Sequence, residues 1–303
     1  MKRRMAAVRG HPAPAADGAP PGDGPGPAEG DEPQPAERDG PAARGSARNS
    51  PVLVLSYAYS GAGYVQDLLA AGTDLACTSG TGIIPLSVAA AEAWRRVEDQ
   101  AGQAMSGLAV STVRGLLTAQ VTVILATAGK SRWCELVTAP PSATDPFRQV
   151  FPGTGFVCVH RSCADVIRAG VQVNTWGAYG QGLVPYLLSY PGNSVAALAA
   201  YWANSTEQLL AFETENAGAA HRVRYEDVMA APGQALATVR ASLRLDNTAA
   251  DGAFPGPFEP AKPDTAGSAV PEPAVPVEMI PEPLRGRVSR LHDELGYPPP
   301  GGR

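Results

Sequence analysis

The apolar residues of this chain fall in blocks between residue 51 and about residue 246 and thin out on either side. Four blocks are short and apolar, as strands covered on both faces of a parallel sheet are: Val52–Ser56, Trp133–Thr138, Phe156–His160 and His221–Tyr225. Between them the spacing becomes that of helices, predicted over Gly63–Ala71, Pro85–Gln100, Ser106–Ala128, Cys163–Val171, Ser194–Asn216 and Gly233–Leu243. At Val121–Thr127 the β-branched residues favour a strand, but the upstream spacing through Leu108, Val113, Leu117 and Val121 continues a helix, closed by Gly129. Strand and helix thus alternate. The pattern predicts an α/β domain over residues 51–250, with a mostly parallel central sheet between helical layers, as in phosphate-loop proteins.

Composition changes the picture at both ends. Residues 1–50 hold nine Pro and eight Gly, and their only Val, Met or larger apolar residues are Met1, Met5 and Val8. That share of Pro and Gly exceeds the roughly 25–30% of low-complexity chains, so a disordered tail is expected. Its seven basic and seven acidic residues balance, which does not suit a nucleic-acid arm. After residue 250, nine Pro between Pro255 and Pro283 predict an extended arm. One last amphipathic helix is expected over Pro283–Leu295, with Leu284, Val288, Leu291 and Leu295 on one face.

Charge and cysteines narrow the class. A net charge of −5 disfavours polyanion binding, and no stretch reaches about 18 uninterrupted apolar residues, so neither nucleic acid nor membrane is expected as a partner. The N-terminus MKRRMAAVRGHPAPAADG breaks at His11 and Pro12 before an apolar signal core of about 7–15 residues, so a cytoplasmic protein is expected. Cys77, Cys134, Cys158 and Cys163 show no CxxC spacing and read as reduced core thiols, with no metal site.

Three places carry candidate chemistry. The run Val52–Leu69 reads as strand, small-residue loop and helix, an order that presents unpaired backbone amides at the positive end of a helix dipole. Within Ser56–Gly63, Gly61 and Gly63 permit close approach of an anion and Ser60 offers a hydroxyl, although an ordinary tight turn has the same composition. The GxxxxGK[ST] pattern is absent, which disfavours an ATP or GTP hydrolase and a small-molecule kinase. A second junction follows Phe156–His160, where Arg161 stands at a strand's carboxyl end and suits a phosphate monoester, the alternative being a pair with Asp165. The third is Lys130, the only lysine between residues 51 and 250, which also fits a solvated helix C-terminus.

Together these segments resemble the sulfotransferase family, which moves a sulfonate from 3′-phosphoadenosine 5′-phosphosulfate to an acceptor. SYAYSGAG at Ser56–Gly63 is similar to the family's SYPRSG or PRSGTT, and VHRSCADVIRA at Val159–Ala169 to its hRdPrDvixS. RVRYEDVMAAP at Arg222–Pro232 resembles ryEdLxxdP, and GKSRW at Gly129–Trp133 resembles the dKtP element of bacterial and tyrosylprotein members. The resemblance implies that Tyr59, Ser60, Gly61, Ala62 and Gly63 hold the 5′-phosphosulfate and Arg161 the 3′-phosphate, with Tyr225 also at the cofactor. It implies that Lys130, or Arg132 beside it, supplies positive charge near the transferred sulfonate, that no metal is needed, and that the acceptor is a small hydroxylated molecule.

The departures from the family pattern are specific. Tyr59 stands where the family has a basic residue, Ala62 and Gly63 where it has hydroxyls, and Ala169 where a serine contacts the 3′-phosphate. No carboxylate occurs in Cys77–Gly82, the counterpart of the segment that carries a glutamate base in tyrosylprotein members. A non-catalytic nucleotide- or ligand-binding protein on the same fold is the alternative. Of the other titratable residues, His160 is expected to be packed, Glu135 to have a cationic partner such as Arg132 or Arg114, and Glu226 and Asp227 to cap a turn. Thr78–Gly82 offers hydroxyls to the anion or acceptor, or is a plain loop.

Overall fold

The computed structural model describes residues 50–101, 106–173, 181–245 and 275–298; nearly all of the expected N-terminal tail and most of the expected arm lie outside them. Five strands, β1 (Val52–Leu55), β2 (Leu75–Ser79), β3 (Arg132–Val137), β4 (Gly155–His160) and β5 (Ala220–Arg224), form one sheet in the order β2-β3-β1-β4-β5. Every neighbouring pair is parallel. The helices are α1 (Ala62–Ala70), α2 (Ile83–Ala101), α3 (Ser106–Ala128), α4 (Asp145–Val150), α5 (Cys163–Val173), α6 (Val184–Ser189), α7 (Ser194–Glu215), α8 (Tyr225–Ala230), α9 (Pro232–Ser242) and α10 (Glu282–Leu295).

Alternation along the strands sorts the core into two layers. Val52, Val54, Cys134, Val157 and Val159 pack with Val65, Leu69, Val228 and Leu236 of α1, α8 and α9. Leu53, Leu55, Trp133, Phe156 and Cys158 point the other way, toward Val113, Ile167, Leu198, Trp202 and Leu291. This period of two on both faces is why β1 and β4 read as continuous apolar runs.

The order of the strands locates the site. From β1 the chain runs through α1 to the β2 edge and returns as β3; it then crosses past β1 to β4 and continues outward to β5. Neighbouring β1 and β4 are therefore left by connections that diverge. Ligands bind at such a switch point, in the crevice beyond the strands' carboxyl ends.

Several elements differ from the sequence expectation. Leu75–Ser79 is a strand, not a loop: at the sheet edge it pairs with β3 alone, so Leu75 and Ala76 are buried while Ser79 is exposed. Its polar half hid it from an apolar-run criterion. Tyr225 begins α8 rather than ending β5. Helix α3 closes as expected, with Gly129 left-handed at φ 62°. Its stretch Ala109–Ala128 has a mean hydropathy of 1.5, with 17% of it buried, and by length and composition is long and apolar enough to cross a bilayer. Val113 and Leu117 face the core, while Leu116 and Val123 are exposed.

Two buried polar clusters tie the outer elements to the sheet. At the end of β4, His160 Nε2 meets Glu213 Oε1 of α7 at 2.7 Å, and Arg222 Nε of β5 donates to Glu213 Oε2 at 2.6 Å. Burial alone would raise the Glu213 carboxyl, but its hydrogen bonds and charge interactions with His160 and Arg222 outweigh it and hold the group low. On α10, His292 Nε2 accepts from the Cys163 amide at 3.2 Å, and Nδ1 donates to the Pro298 carbonyl at 2.7 Å. Burial lowers the His292 pKa despite that carbonyl.

Both depressed groups bind fewer protons folded than unfolded, so each contributes stability above its unfolded pKa that is lost as pH falls through its folded one. For His292 the loss begins below the ordinary histidine value of 6.5, and for Glu213 below 4.5. Thermal melting followed from pH 8 to 4 is expected to fall first below about pH 6.5, where His221 is also depressed by burial, and His292→Gln is expected to make that first decline shallower while leaving the second.

Candidate active site

The loop after β1 is built on two left-handed residues, Tyr59 at φ 67° and Gly61 at φ 76°. Between them Ser60 is buried, and its Oγ accepts from the Ala62 amide at 3.3 Å, an internal cap on α1. The Gly61 carbonyl accepts from the Tyr64 and Val65 amides. Among the described hydrogen bonds the Gly61 and Gly63 amides find no protein acceptor, so the helix start keeps open donors of the kind an anion takes.

Across the switch point, Arg161 follows β4. Its peptide is held from both sides: Tyr57 Oη accepts from the Arg161 amide at 3.0 Å and donates to the Arg161 carbonyl at 3.1 Å. Trp202 Nε1 donates to that same carbonyl at 2.8 Å. The guanidinium reaches back to the loop, with Nη1 donating to the Tyr59 carbonyl at 3.0 Å, and lies 4.5 Å from the Tyr225 ring centroid. That ring in turn lies against Gly61, where an added Cβ would stand 2.3 Å from Tyr225 Cε2. The structure thus brings Tyr59, Ser60, Gly61, Ala62, Gly63, Arg161 and Tyr225 into one junction.

The alternative pairing of Arg161 with Asp165 does not occur. Asp165 is taken by Ser162, whose Oγ donates to it at 2.7 Å and accepts from its amide at 3.3 Å, and by Arg168 one turn on. This reciprocal cap starts α5. Arg161 Nε remains buried without a hydrogen-bond partner. Beside it lies an open cleft of about 490 Å³ whose lining includes Arg161, Asp165, Arg168, Ala169, Tyr225 and Glu226. Glu226 also does more than cap its own turn, since its Oε1 accepts from the Ser162 amide at 2.8 Å.

Lys130 and Arg132 are not part of this junction. Counted from Val52, whose partners are Cys134 and Gly155, Arg132 lies two positions before the origin and Arg161 six positions after it. Eight steps at about 3.3 Å put the two near opposite edges of the sheet, about 26 Å apart along the strands. Arg132 is buried there, donating from Nε to the Ser50 carbonyl and from Nη1 to the Leu243 carbonyl. Lys130 Nζ donates to the Thr73 carbonyl at 2.6 Å. Both hold chain segments together at the amino ends of the strands, so the expected charge on a transferred sulfonate is not theirs.

Glu135 also differs from expectation. Among the described residues it has no cationic partner but hydroxyl and amide donors from the segment beside it: Thr78 Oγ1 at 2.6 Å, Thr81 N at 3.0 Å and Thr81 Oγ1 at 2.9 Å. The Thr78 and Thr81 hydroxyls are thereby spent on anchoring the end of β2 and the turn after it. His160, buried and bonded to Glu213, is held in the core behind the site. Among the described residues no group of three or more His, Cys, Asp and Glu side chains gathers as a metal site would.

Sequence reasoning missed Tyr57 and Trp202. An aromatic at the head of a small-residue turn was the sole signal for Tyr57, and nothing local marks Trp202 among the apolar positions of α7. Burial pushes the Tyr57 phenol far above its ordinary range, so it stays a donor as well as an acceptor. Tyr57→Phe leaves the Arg161 amide without its partner, a loss of about 1–3 kcal/mol for a buried donor. The expected outcome is a melting temperature lower by about 2–10 °C, checked by calorimetric unfolding, together with weaker binding of any ligand that Arg161 holds.

A family model described as the sulfotransferase family matches residues 51–249. Among solved structures the chain is similar to a sulfotransferase domain from the curacin biosynthetic pathway, at 16% identity over 83% of this chain and 99% of that one, with a TM-score of 0.50. It also matches a sulfotransferase domain from the Synechococcus PCC 7002 olefin synthase, at 16% identity over 82% of this chain and 96% of that one, with a TM-score of 0.49. The first of these shows a shared fold. Comparison with curated proteins gave no match.

Proposed function

Since the chain belongs to the sulfotransferase family, we propose that it transfers a sulfonate from 3′-phosphoadenosine 5′-phosphosulfate to a hydroxyl of a small-molecule acceptor. The observation that carries this reading is the junction itself: an anion-suited loop and an arginine, clamped to one another at the switch point of a parallel sheet. The donor would supply a sulfonate on a phosphate leaving group. The residues fit such a donor, because Arg161 Nε is buried without a partner, the Gly61 and Gly63 amides are open, and the cleft has the volume of a small-molecule site.

In this reading each residue has a limited task. The Gly61 and Gly63 amides stabilise negative charge at the start of α1. Arg161 grips a phosphate with a guanidinium whose backbone is fixed by Tyr57 and Trp202, so little ordering is needed on binding. Tyr225 provides a flat face under that guanidinium. With Lys130 and Arg132 at the far edge, charge on the leaving phosphate rests on the amides and Arg161.

The same separation favours one rival, a binding protein that retains the nucleotide site without transfer. Radiolabelled sulfonate transfer to a panel of hydroxyl compounds, run beside calorimetry with 3′-phosphoadenosine 5′-phosphate, distinguishes them. Transfer supports the proposal, binding without transfer to any acceptor supports the rival, and neither binding nor transfer sinks both.

A further inference from the structure

Helix α3 carries two apolar stripes, and the core takes only one of them. Ala109, Val113 and Leu117 are buried at four-residue spacing, and Val121, Ile124 and Leu125 continue along the partly buried side. Across the helix, Thr112, Leu116, Ala119, Val123 and Ala126 are exposed, Leu116 by 56% and Val123 by 66%. Their spacing is four, three, four and three, which is the seam of a coiled coil.

The seam is neutral as well as apolar. No charged residue occurs between Gly115 and Gly129, so its flanking positions, Gly115, Thr122 and Thr127 among them, carry none either. Thr122 and Thr127 turn their hydroxyls onto the helix itself, donating to the Thr118 carbonyl at 2.7 Å and the Val123 carbonyl at 2.9 Å. Arg114, the charge that precedes this run, is bonded to the end of α4, with Nε donating to the Val150 carbonyl at 2.8 Å.

Independently of the sulfonate-transfer reading, we propose that this face is an interface between two copies of the chain, with their α3 helices packed antiparallel across a two-fold axis at Ala119. The order of residues selects a second copy. Read in either direction from Ala119, the seam has a branched apolar residue one turn away, Leu116 or Val123, and a smaller one two turns away, Thr112 or Ala126. A two-fold axis there sets Leu116 of one copy against Val123 of the other, and Thr112 against Ala126, so bulky meets bulky and small meets small. The alanine at the centre lets the helix axes approach to about 8 Å. Two chains of net charge −5 repel on average, and this stripe is a place where they meet without opposing like charges. Antiparallel packing also sets the two helix dipoles against each other favourably. A lipid surface fits less well, because interfacial helices are rich in basic residues along a polar side, whereas α3 carries Arg114 alone and its other side lies on the core.

The size of the seam sets the strength of the pair. Fourteen steps at about 1.5 Å make it about 21 Å long and one helix wide, well short of the ~1,600 Å² of a standard stable interface. The dimer is therefore weak and exchanges with monomer, with a dissociation constant on the order of 10–100 μM.

Sedimentation equilibrium on the full chain, loaded from about 5 to 500 μM, tests the pairing. The average mass is expected to rise with concentration from the 31.2 kDa of the monomer toward that of a dimer. Val123→Glu brings a charge into the seam at an exposed position and is expected to leave monomer throughout, while Leu188→Glu, exposed on α6, is expected to associate like the wild type. Oxidation with diamide reads the geometry: Ala119→Cys is expected to give a disulfide-linked dimer, and neither Thr118→Cys, which lies off the seam, nor the wild type is. A wild type that stays monomeric at the highest loading overturns the proposal, as does association that survives Val123→Glu or cross-linking as efficient at Thr118 as at Ala119. A monomer that floats with phosphatidylcholine vesicles, and loses that property in Val123→Glu, assigns the face to lipid and overturns it too.

Discussion

Under the proposed function, Arg161→Ala is expected to lower the affinity for 3′-phosphoadenosine 5′-phosphate by about ten- to a hundredfold. A hydrogen bond to a charged group contributes about 1.5–3 kcal/mol, and the guanidinium is the only part of this residue free to make one. Its amide and carbonyl are already committed to Tyr57 and Trp202, and those contacts survive truncation of the side chain. Truncation also removes the guanidinium's bond to the Tyr59 carbonyl and its contact with the Tyr225 ring, so the melting temperature is measured alongside the isothermal titration calorimetry that reads the affinity. Lys130→Ala serves as the contrast: it removes the bond to the Thr73 carbonyl at the opposite edge of the sheet and is expected to leave nucleotide affinity unchanged. Unchanged affinity in Arg161→Ala would mean that the 3′-phosphate lies elsewhere.

The second large effect is on stability. Gly61→Ala is expected to cost about 2–5 kcal/mol, from roughly 1–2 kcal/mol for a side chain at φ 76° and about 1–3 kcal/mol for forcing aside the Tyr225 ring, 2.3 Å from the new Cβ. For a domain of this size that is a fall in melting temperature of about 5–15 °C. The two costs are separable. Gly61→Ala combined with Tyr225→Ala relieves the clash but not the backbone strain, so a double-mutant cycle should show positive coupling between the two sites. Gly63→Ala is the control, because nothing lies within 4 Å of its Cβ position. If Gly61→Ala melts like Gly63→Ala, the tight loop described here is not the stable one.

What was legible in the sequence follows from where each residue's environment is decided. The strand, loop and helix at Val52–Leu69 and the junction at Arg161 are local: apolar runs and small residues specify them within some fifteen positions. The roles of Lys130 and Arg132 depended on direction. In a parallel sheet the residues ahead of a strand sit at its amino edge and those after it at its carboxyl edge, so GKSRW, which leads into β3, was already on the wrong side. Glu135 required knowledge of its neighbour, since only the pairing of β3 with β2 sets Thr78 beside it. Tyr57 and Trp202 required more still, because they meet Arg161 at separations of 104 and 41 residues.

The contact between His292 and the Cys163 amide joins residues 129 positions apart. It lies two residues from Arg161, at the first turn of α5, and the helix that supplies it comes near the end of the described chain. A chain still emerging from the ribosome therefore has every residue of the Arg161 junction long before it has the brace behind it. A protein cut ahead of Glu282 would carry the whole motif set, with Tyr57 and Trp202 still on the Arg161 peptide, yet would leave the Cys163 amide at the start of α5 without its acceptor.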